Sequence, residues 1–189
     1  MSLFDRTVSD LIGRRTSWRS YEHRPLEQGP RQQLEAFISE HDAGPFGSPT
    51  RLYMVAASSA DSDELRGLGT YGMIRNPAAF VVGAVWAQAP MGLEDFGYVM
   101  ERAILRATDV ELGTCWLGGS FSKSSFAGRI QATPDELVPA VFCAGHPKAR
   151  RGAVDRMVRW GAGSARRRPW DSLFSLGQPG TPLPREQAG

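Results

Sequence analysis

The sequence predicts an α+β sandwich in which helices cover a mixed, largely antiparallel sheet. Short apolar runs with the length of buried strands alternate along the chain with longer stretches whose apolar residues recur at helical spacing. The 189 residues, of which 41% are hydrophobic, suffice for one sizeable core. We therefore expect one domain over residues 1–176. Residues 177–189 contain three prolines and no apolar periodicity, which predicts an extended or disordered tail.

Helical spacing of apolar residues predicts three helices, over residues 3–13, 30–40 and 93–110. The third also carries apolar residues off its main stripe, so we expect it deep in the structure or at a subunit interface. A short fourth helix is predicted to begin at Thr133, because a first-turn proline follows this capping residue and Glu136 stands three positions after it.

Four strands are predicted, near residues 51–57, 79–86, 113–118 and 139–145. The second is short, apolar and rich in β-branched residues, which is typical of a buried central strand. Residues 42–49 are rich in turn formers and predict the loop that precedes the first strand.

The composition narrows the classes of function. Among 22 basic residues only Lys123 and Lys148 are lysines, so the positive charge is mostly guanidinium, which suits phosphate and carboxylate ligands. Cys115 and Cys143 lie in apolar runs rather than at metal-ligand spacing, which predicts no zinc site or disulfide framework and indicates a reduced, intracellular setting. Without a signal peptide or a long apolar run, we expect a cytoplasmic protein with no membrane partner.

Motifs of hydrolases and metalloenzymes are absent from the sequence. It contains no Gly-x-Ser-x-Gly elbow, no His-Glu-x-x-His pair and no Walker loop. The three histidines lie in polar or turn-like surroundings. We therefore predict no metal site and assign no side chain as a catalytic acid or base.

Three segments have the chemistry to hold an anionic or flat ligand. The N-terminal arginine segment, Arg15–Arg19, combines guanidinium and hydroxyl donors directly after a predicted helix, as a phosphate requires. A second cluster of arginines lies at residues 166–168. The glycine-flanked segment, Trp116–Gly119, can pass its backbone N–H groups along a flat ring such as a flavin.

Taken alone, each of these segments also has an ordinary explanation. The two arginine-rich segments can be solvated surface, and the glycine-flanked segment can be a core strand that ends in a Gly-Gly turn. Nucleic-acid binding is disfavoured because the formal net charge is only +2 and the aromatic residues lie mostly in core-like runs.

Taken in order, these segments resemble the nitroreductase family, and most closely its TM nitroreductase branch. The run Arg15–Tyr21 is similar to the family's Arg-x-Ser-x-Arg-x-Tyr/Phe start. The loops Gly44–Gly47 and Tyr71–Ala78 match segments typical of the branch. The most specific stretch is Gly97–Leu105 followed by Leu112–Gly119, which is similar to the family's helix and its Gly-Leu-Gly-Thr-Cys-Trp-x-Gly-Gly. The resemblance covers about residues 8–175.

The resemblance implies a nitroreductase-like three-layer sandwich, commonly a homodimer with FMN in its interface. It assigns the FMN phosphate and ribityl end to Arg15, Thr16, Ser17 and Arg19. It assigns the isoalloxazine ring to Trp116, Leu117, Gly118 and Gly119. Arg166 and Arg167 fall where the family has a late basic pair near the phosphate.

The leading prediction of function is accordingly an FMN-dependent oxidoreductase. In such an enzyme NAD(P)H reduces the flavin, and an electron-poor small-molecule acceptor then reoxidises it.

One departure from the branch leaves alternatives open. The sequence lacks the later Ala-Pro-Ser-x-x-Asn-x-Gln-Pro-Trp motif of many members, so the chain is a truncated form, or a partner completes its site, or flavin binding is degraded. The alternatives to an enzyme are a non-catalytic flavin-binding or regulatory module and, less favoured, an Arg-rich nucleic-acid binder that uses residues 150–168.

Overall fold

A computed structural model describes residues 3–40, 42–56, 74–119, 123–163 and 168–187. The chain divides into two compact units, Met1–Gly152 and Ala153–Gly189. The predicted domain boundary at residue 176 stays a prediction.

The first unit contains four helices and five strands among its described residues. They are α1 (Val8–Arg14), α2 (Gln28–Glu40), β1 (Thr50–Ala56), β2 (Ala79–Trp86), α3 (Gly92–Asp109), β3 (Gly113–Leu117), α4 (Lys123–Arg129), β4 (Glu136–Leu137) and β5 (Val141–Gly145).

The strands form one sheet in the order β1-β2-β5-β3, and β4 pairs with the end of β2. Every ladder between these strands is antiparallel; Val82, for example, lies opposite Tyr53 on one side and Val141 on the other. Isolated parallel bridges join Ser17 to Thr114 and Ser20 to Arg75. The predicted mixed, largely antiparallel sheet with flanking helices is therefore confirmed.

Strand β2 supplies both cores of the unit because its side chains alternate between the two faces of the sheet. Phe80 and Val82 pack with Phe126 of α4 on one face. Val81 and Val85 pack on the other face against α2 and α3. Nearly every residue of β2 is buried, as predicted for a central strand. The two covered faces give the sandwich its three layers.

Helix α3 lies deep in the unit, as its apolar periodicity predicts. Its fully buried side chains pack on the sheet and on α2; they include Val99, Met100, Ala103, Ile104 and Ala107. Helix α1 begins later than predicted because Thr7 caps it, its hydroxyl accepting a hydrogen bond from the Asp10 N–H (3.2 Å). Helix α4, whose residues are mostly polar, was not predicted.

The predicted helix at Thr133 is wrong. The local hydrogen bond of a capping box does form, since the Thr133 N–H donates to the Glu136 carboxylate (2.9 Å). The chain then turns into β4, where Glu136 and Leu137 pair with Trp86 and Val85. Only Val138 separates β4 from Pro139, and a proline disfavours a helical conformation in the residue before it. Because Pro139 has no backbone N–H, it cannot donate a hydrogen bond to a neighbouring strand, and β5 begins only at residue 141.

Arg51 on β1 holds the Glu136 carboxylate with two hydrogen bonds, from Nε (2.7 Å) and Nη2 (2.6 Å). These bonds lower the pKa of Glu136 to about 2, from the ordinary value of 4.5. Because the pKa is lower in the folded state, the pair stabilises the protein above about pH 4.5, and the contribution is lost as the pH falls towards 2.

We expect Glu136→Gln to remove this pH dependence. Between about pH 5 and pH 2 the wild-type free energy of unfolding should fall by about 1 to 2 kcal/mol more than that of the variant. The difference is limited to this size because water screens the half-exposed Arg51. Urea unfolding at several pH values measures the difference, with the exposed Glu40→Gln as the control. Parallel pH profiles for Glu136→Gln and wild type would contradict the assignment.

The predicted loop before β1 is confirmed, and Asp95 in the first turn of α3 organises it. The buried Asp95 carboxylate accepts hydrogen bonds from the N–H groups of Phe46 (2.9 Å) and Ser48 (2.6 Å). Gly44 lies so close that a Cβ atom there would stand 2.2 Å from Asp95 Oδ1. Gly47 adopts a φ of +82°, which glycine tolerates best. The structure of this loop therefore explains why glycine occupies positions 44 and 47.

Cys115 and Cys143 face each other on neighbouring strands β3 and β5. Both thiols are reduced and buried in the same core. The Tyr21 hydroxyl lies 3.3 Å from Cys143 Sγ. Burial raises the pKa of Cys143, and that of Tyr21 well above its ordinary range, so these groups stay protonated at neutral pH.

The second unit contains α5 (Ala153–Gly161), α6 (Trp170–Leu173) and a 3-10 helix at Arg185–Gln187. The Trp170 ring lies 4.1 Å from that of Phe174, and its indole N–H donates to the Leu183 carbonyl (2.6 Å). The Leu183 N–H donates to the Phe174 carbonyl (3.0 Å). The segment predicted to be an extended or disordered tail thus contains turns and a helical turn in its described part.

In the parts of the chain that the structure describes, no helix has the length and apolar character needed to cross a bilayer.

Candidate functional site

The N-terminal arginine segment runs alongside the sheet and is fixed to it by backbone hydrogen bonds. The Trp18 N–H donates to the Thr114 carbonyl of β3 (2.8 Å). Further on, the Arg75 N–H donates to the Arg19 carbonyl (2.8 Å) and the Tyr21 N–H to the Arg75 carbonyl (3.0 Å). Residues 17–21 are therefore held like a further strand beside β3 and the residues that precede β2.

Two aromatic side chains anchor this segment. The Tyr21 ring is fully buried, and its hydroxyl donates to the Trp18 carbonyl (2.6 Å). The Trp18 ring covers Gly113, where a Cβ atom would stand 3.0 Å from ring carbons. A glycine at the start of β3 thus permits the close approach of Trp18. These contacts position the neighbouring polar residues 15–17 and Arg19.

Glu101 of α3 connects the N-terminal arginine segment to the glycine-flanked segment. One carboxylate oxygen lies 3.4 Å from Arg15 Nε, and the other accepts a hydrogen bond from the Trp116 indole N–H (2.7 Å). Glu101 was not among the site residues predicted from the sequence. Its signal is a carboxylate inside a helix that is otherwise largely apolar, at a position that the structure shows to be half-buried.

Arg151 joins the site from the other end of the unit. It donates through Nη1 to the Ser17 carbonyl (2.8 Å) and through Nη2 to the Thr16 hydroxyl (3.3 Å). Its guanidinium carbon lies 3.9 Å from the centroid of the Trp18 ring, a cation–π contact. Sequence reasoning counted Arg151 only as part of a basic run, because nothing local to it indicates which segment it contacts.

The resulting arrangement can hold an anion. The Arg15 guanidinium contacts Glu101, and the Arg151 guanidinium contacts Thr16 and Ser17, the two residues that follow Arg15 in the chain. Arg15 Nη1 is buried and has no hydrogen-bond partner among the described residues. A buried guanidinium N–H without a partner costs free energy, which a charged acceptor such as a phosphate oxygen relieves.

The glycine-flanked segment offers mainly its backbone to a flat ligand. Trp116 packs on the α3 side of the sheet and Leu117 on the opposite side, so their side chains do not share one face. Gly118 and Gly119 follow β3 and are exposed. A Cβ atom added to either glycine would have no neighbour within 4 Å among the described residues, apart from the residues next to it in the sequence. Among the residues that the structure describes, none therefore covers the two glycines at the end of β3.

The predicted late basic pair, Arg166 and Arg167, lies outside the described residues.

The sequence matches the family model described as "Putative TM nitroreductase" over residues 7–183. The chain belongs to this nitroreductase family. The resemblance read from the Arg15–Arg19 and Leu112–Gly119 motifs is thereby confirmed, and membership places the chain among the oxidoreductases. No curated protein matches the sequence.

Solved structures of nitroreductases share the fold. A nitroreductase family protein of Clostridium difficile 630 is 14% identical, with a TM-score of 0.67 over 92% of this chain and 99% of its own. An oxidoreductase containing FMN is 15% identical, with a TM-score of 0.68 over 92% and 93%. A point mutant of the FMN- and NADPH-dependent nitroreductase NfnB from Sphigopyxis sp. strain HMH is 13% identical, with a TM-score of 0.65 over 91% and 99%. At these identities the likeness shows the nitroreductase fold alone.

Proposed function

We propose that this nitroreductase-family chain is an FMN-dependent oxidoreductase that passes reducing equivalents from NAD(P)H, through the flavin, to an electron-poor small-molecule acceptor. The observation that carries the proposal is the pair of contacts made by Glu101, which link Arg15 to Trp116. These contacts support a single site that combines anion-binding chemistry with the glycine-flanked end of β3. Two of the similar structures, an FMN-containing oxidoreductase and an FMN- and NADPH-dependent nitroreductase, support the same cofactor.

The residues present fit FMN at its phosphate end. The buried, unpartnered Arg15 Nη1 is a donor that a phosphate or ribityl oxygen can satisfy. We propose that Arg15, Thr16, Ser17 and Arg19 hold the phosphate and ribityl end. Arg151 orders this group through its hydrogen bonds to Thr16 and Ser17. The role that the family resemblance gives Arg166 and Arg167 stays a prediction, because both lie outside the described residues.

At the ring end we propose contacts from residues 116–119, chiefly through their backbone. When bound, FMN supplies the chemistry of hydride and electron transfer, while the protein supplies orientation and charge. Buried Tyr21 stays protonated and serves as a donor to the Trp18 carbonyl. We therefore assign no side chain of this site as a catalytic acid or base.

We also propose that the protein is a cytoplasmic homodimer. The predicted contact helix, α3, is largely buried within its own unit. Beyond its first turn, the large hydrophobic side chain that it exposes is that of Tyr98, with 49% of its surface accessible to water. Tyr98 is accordingly the residue of α3 that we propose for a subunit contact.

Absorption spectra of the purified full-length protein test the proposed function. We expect a yellow protein with the absorbance band of bound FMN. Anaerobic NADH or NADPH should bleach the band, and an electron-poor acceptor should restore it. A yellow protein that neither nucleotide bleaches would indicate the non-catalytic flavin-binding module instead. A protein that takes up no added FMN would refute both.

A further inference from the structure

We propose a second binding site in this chain, for an apolar molecule with a single anionic head group. The site is a groove of about 510 Å³ between the first turn of α3, helix α4 and the segment around β4. Small-molecule sites commonly have volumes of a few hundred to about 1,000 Å³. The groove shares no residue with the site built around Arg15, Glu101 and Arg151, and the proposal does not depend on flavin.

Most of the groove's wall is apolar and is formed by Leu93, Ala127, Ala132, Leu137, Val138 and Pro139. The polar residues that line it are Lys123, Ser124, Thr133 and Glu136. Leu93 and Leu137 leave 59% and 45% of their surface exposed to water. Large exposed aliphatic side chains that line a concave surface mark a place where an apolar ligand removes hydrocarbon from water. The body of the ligand is therefore apolar.

The base of the groove is continuous with the core of the unit. Val138 belongs to the same core as Phe126 and Leu117, and Ala127 and Ala132 pack against it. A wall supported in this way is preformed, so that a ligand need not order it on binding.

The charged groups of the groove select the head group. Glu136 lines the groove, but its carboxylate already accepts hydrogen bonds from Arg51 and from the Thr133 N–H. It therefore has little to offer a cationic ligand. Lys123, at the start of α4, is exposed and makes no ion pair with any residue that the structure describes. Its ammonium group favours an anion, such as a carboxylate, at the mouth of the groove.

Octanoate and octanol test this assignment, since they share an alkyl chain and differ in charge. We expect octanoate to bind the full-length protein saturably in calorimetric titrations, and more tightly than octanol. Lys123→Gln should weaken octanoate binding about fivefold, as expected for an exposed ion pair, and leave octanol binding unchanged. Lys148→Gln, which removes the other lysine of the chain, is the matched control and should change neither.

Leu137→Ser tests the apolar wall, because this side chain is exposed enough to be shortened without opening the core. It should weaken the binding of both ligands, whereas Leu173→Ser, at a similarly exposed leucine of the second unit, should weaken neither. Absence of saturable octanoate binding would overturn the proposal. Equal effects of the two lysine variants would do the same, as would equal effects of the two leucine variants. All titrations are read from heat in flavin-free protein, so their failure would leave the oxidoreductase proposal untouched.

Discussion

Replacing Arg15 and Arg19 together with alanine removes most of the flavin that the proposed function requires. Each guanidinium is expected to donate charged hydrogen bonds to the phosphate end, and such bonds contribute roughly 1.5 to 3 kcal/mol each. Loss of both should weaken FMN binding by about 3 to 6 kcal/mol, which is a factor of more than about 100. Flavin occupancy after dialysis, and FMN titration of the flavin-free variant, measure the loss.

A matched double variant separates this effect from a general loss of positive charge. Arg24→Ala with Arg31→Ala also removes two guanidinium groups, which lie exposed in ion pairs with Glu22, Glu27 and Glu35. This control should keep its flavin. If the Arg15 and Arg19 double variant retains the occupancy of the control, the phosphate lies elsewhere. Circular dichroism of both proteins shows whether either has lost its fold.

Replacing Asp95 with asparagine should lower the free energy of unfolding by about 3 kcal/mol. The buried carboxylate accepts hydrogen bonds from two backbone N–H groups, of Phe46 and Ser48. Asparagine has one acceptor oxygen, so one of these donors would face an amide NH₂ group. Charged hydrogen bonds are the stronger kind, and a buried donor left without a partner carries its full desolvation cost. Urea unfolding, followed by tryptophan fluorescence, measures the change.

The neighbouring residue provides the control for this prediction. Glu94→Gln changes the same charge in the first turn of α3 at an exposed position, and should shift the free energy of unfolding by less than about 0.5 kcal/mol. Gly44→Ala should be as damaging as Asp95→Asn, because the added Cβ would meet Asp95 Oδ1 at 2.2 Å. An Asp95→Asn protein as stable as Glu94→Gln would show that the loop does not depend on this carboxylate.

The parts of the fold that the sequence predicts are those where burial imposes a regular pattern. Both faces of strand β2 are covered, so its sequence is an almost continuous apolar run. Helix α3 packs on the sheet along most of its length, so its apolar residues keep helical spacing. In each case the local pattern and the tertiary structure demand the same residues.

Thr133 shows where local patterns fail. The capping-box hydrogen bond to Glu136 is present, but Leu137 pairs with Val85 and Arg51 holds Glu136. These partners come from strands more than 50 residues earlier in the chain. A sequence window around Thr133 contains no information about them, and they decide the local conformation.

The candidate site was predicted in its chemistry but not in its geometry. The order of the motifs identified the family, and with it the N-terminal arginine segment and the glycine-flanked segment. Glu101 and Arg151 were missed because their roles consist of contacts across the sequence: Arg151 lies 135 positions from Thr16. The alternation of β3, which sends Trp116 and Leu117 to opposite faces, also limits how much of the glycine-flanked segment one ring can contact.

Chemical labelling of the two facing cysteines can report how often the sheet opens. A cysteine reacts with thiol reagents as its thiolate, and Cys143 is buried with a raised pKa. Cys115 lies opposite it on the neighbouring strand. A chemical label can therefore reach either sulfur only while β3 and β5 are apart or their covering layer has lifted. The rate of labelling therefore measures how often the centre of the sheet opens. A ligand that binds both β3 and its surroundings should lower that rate.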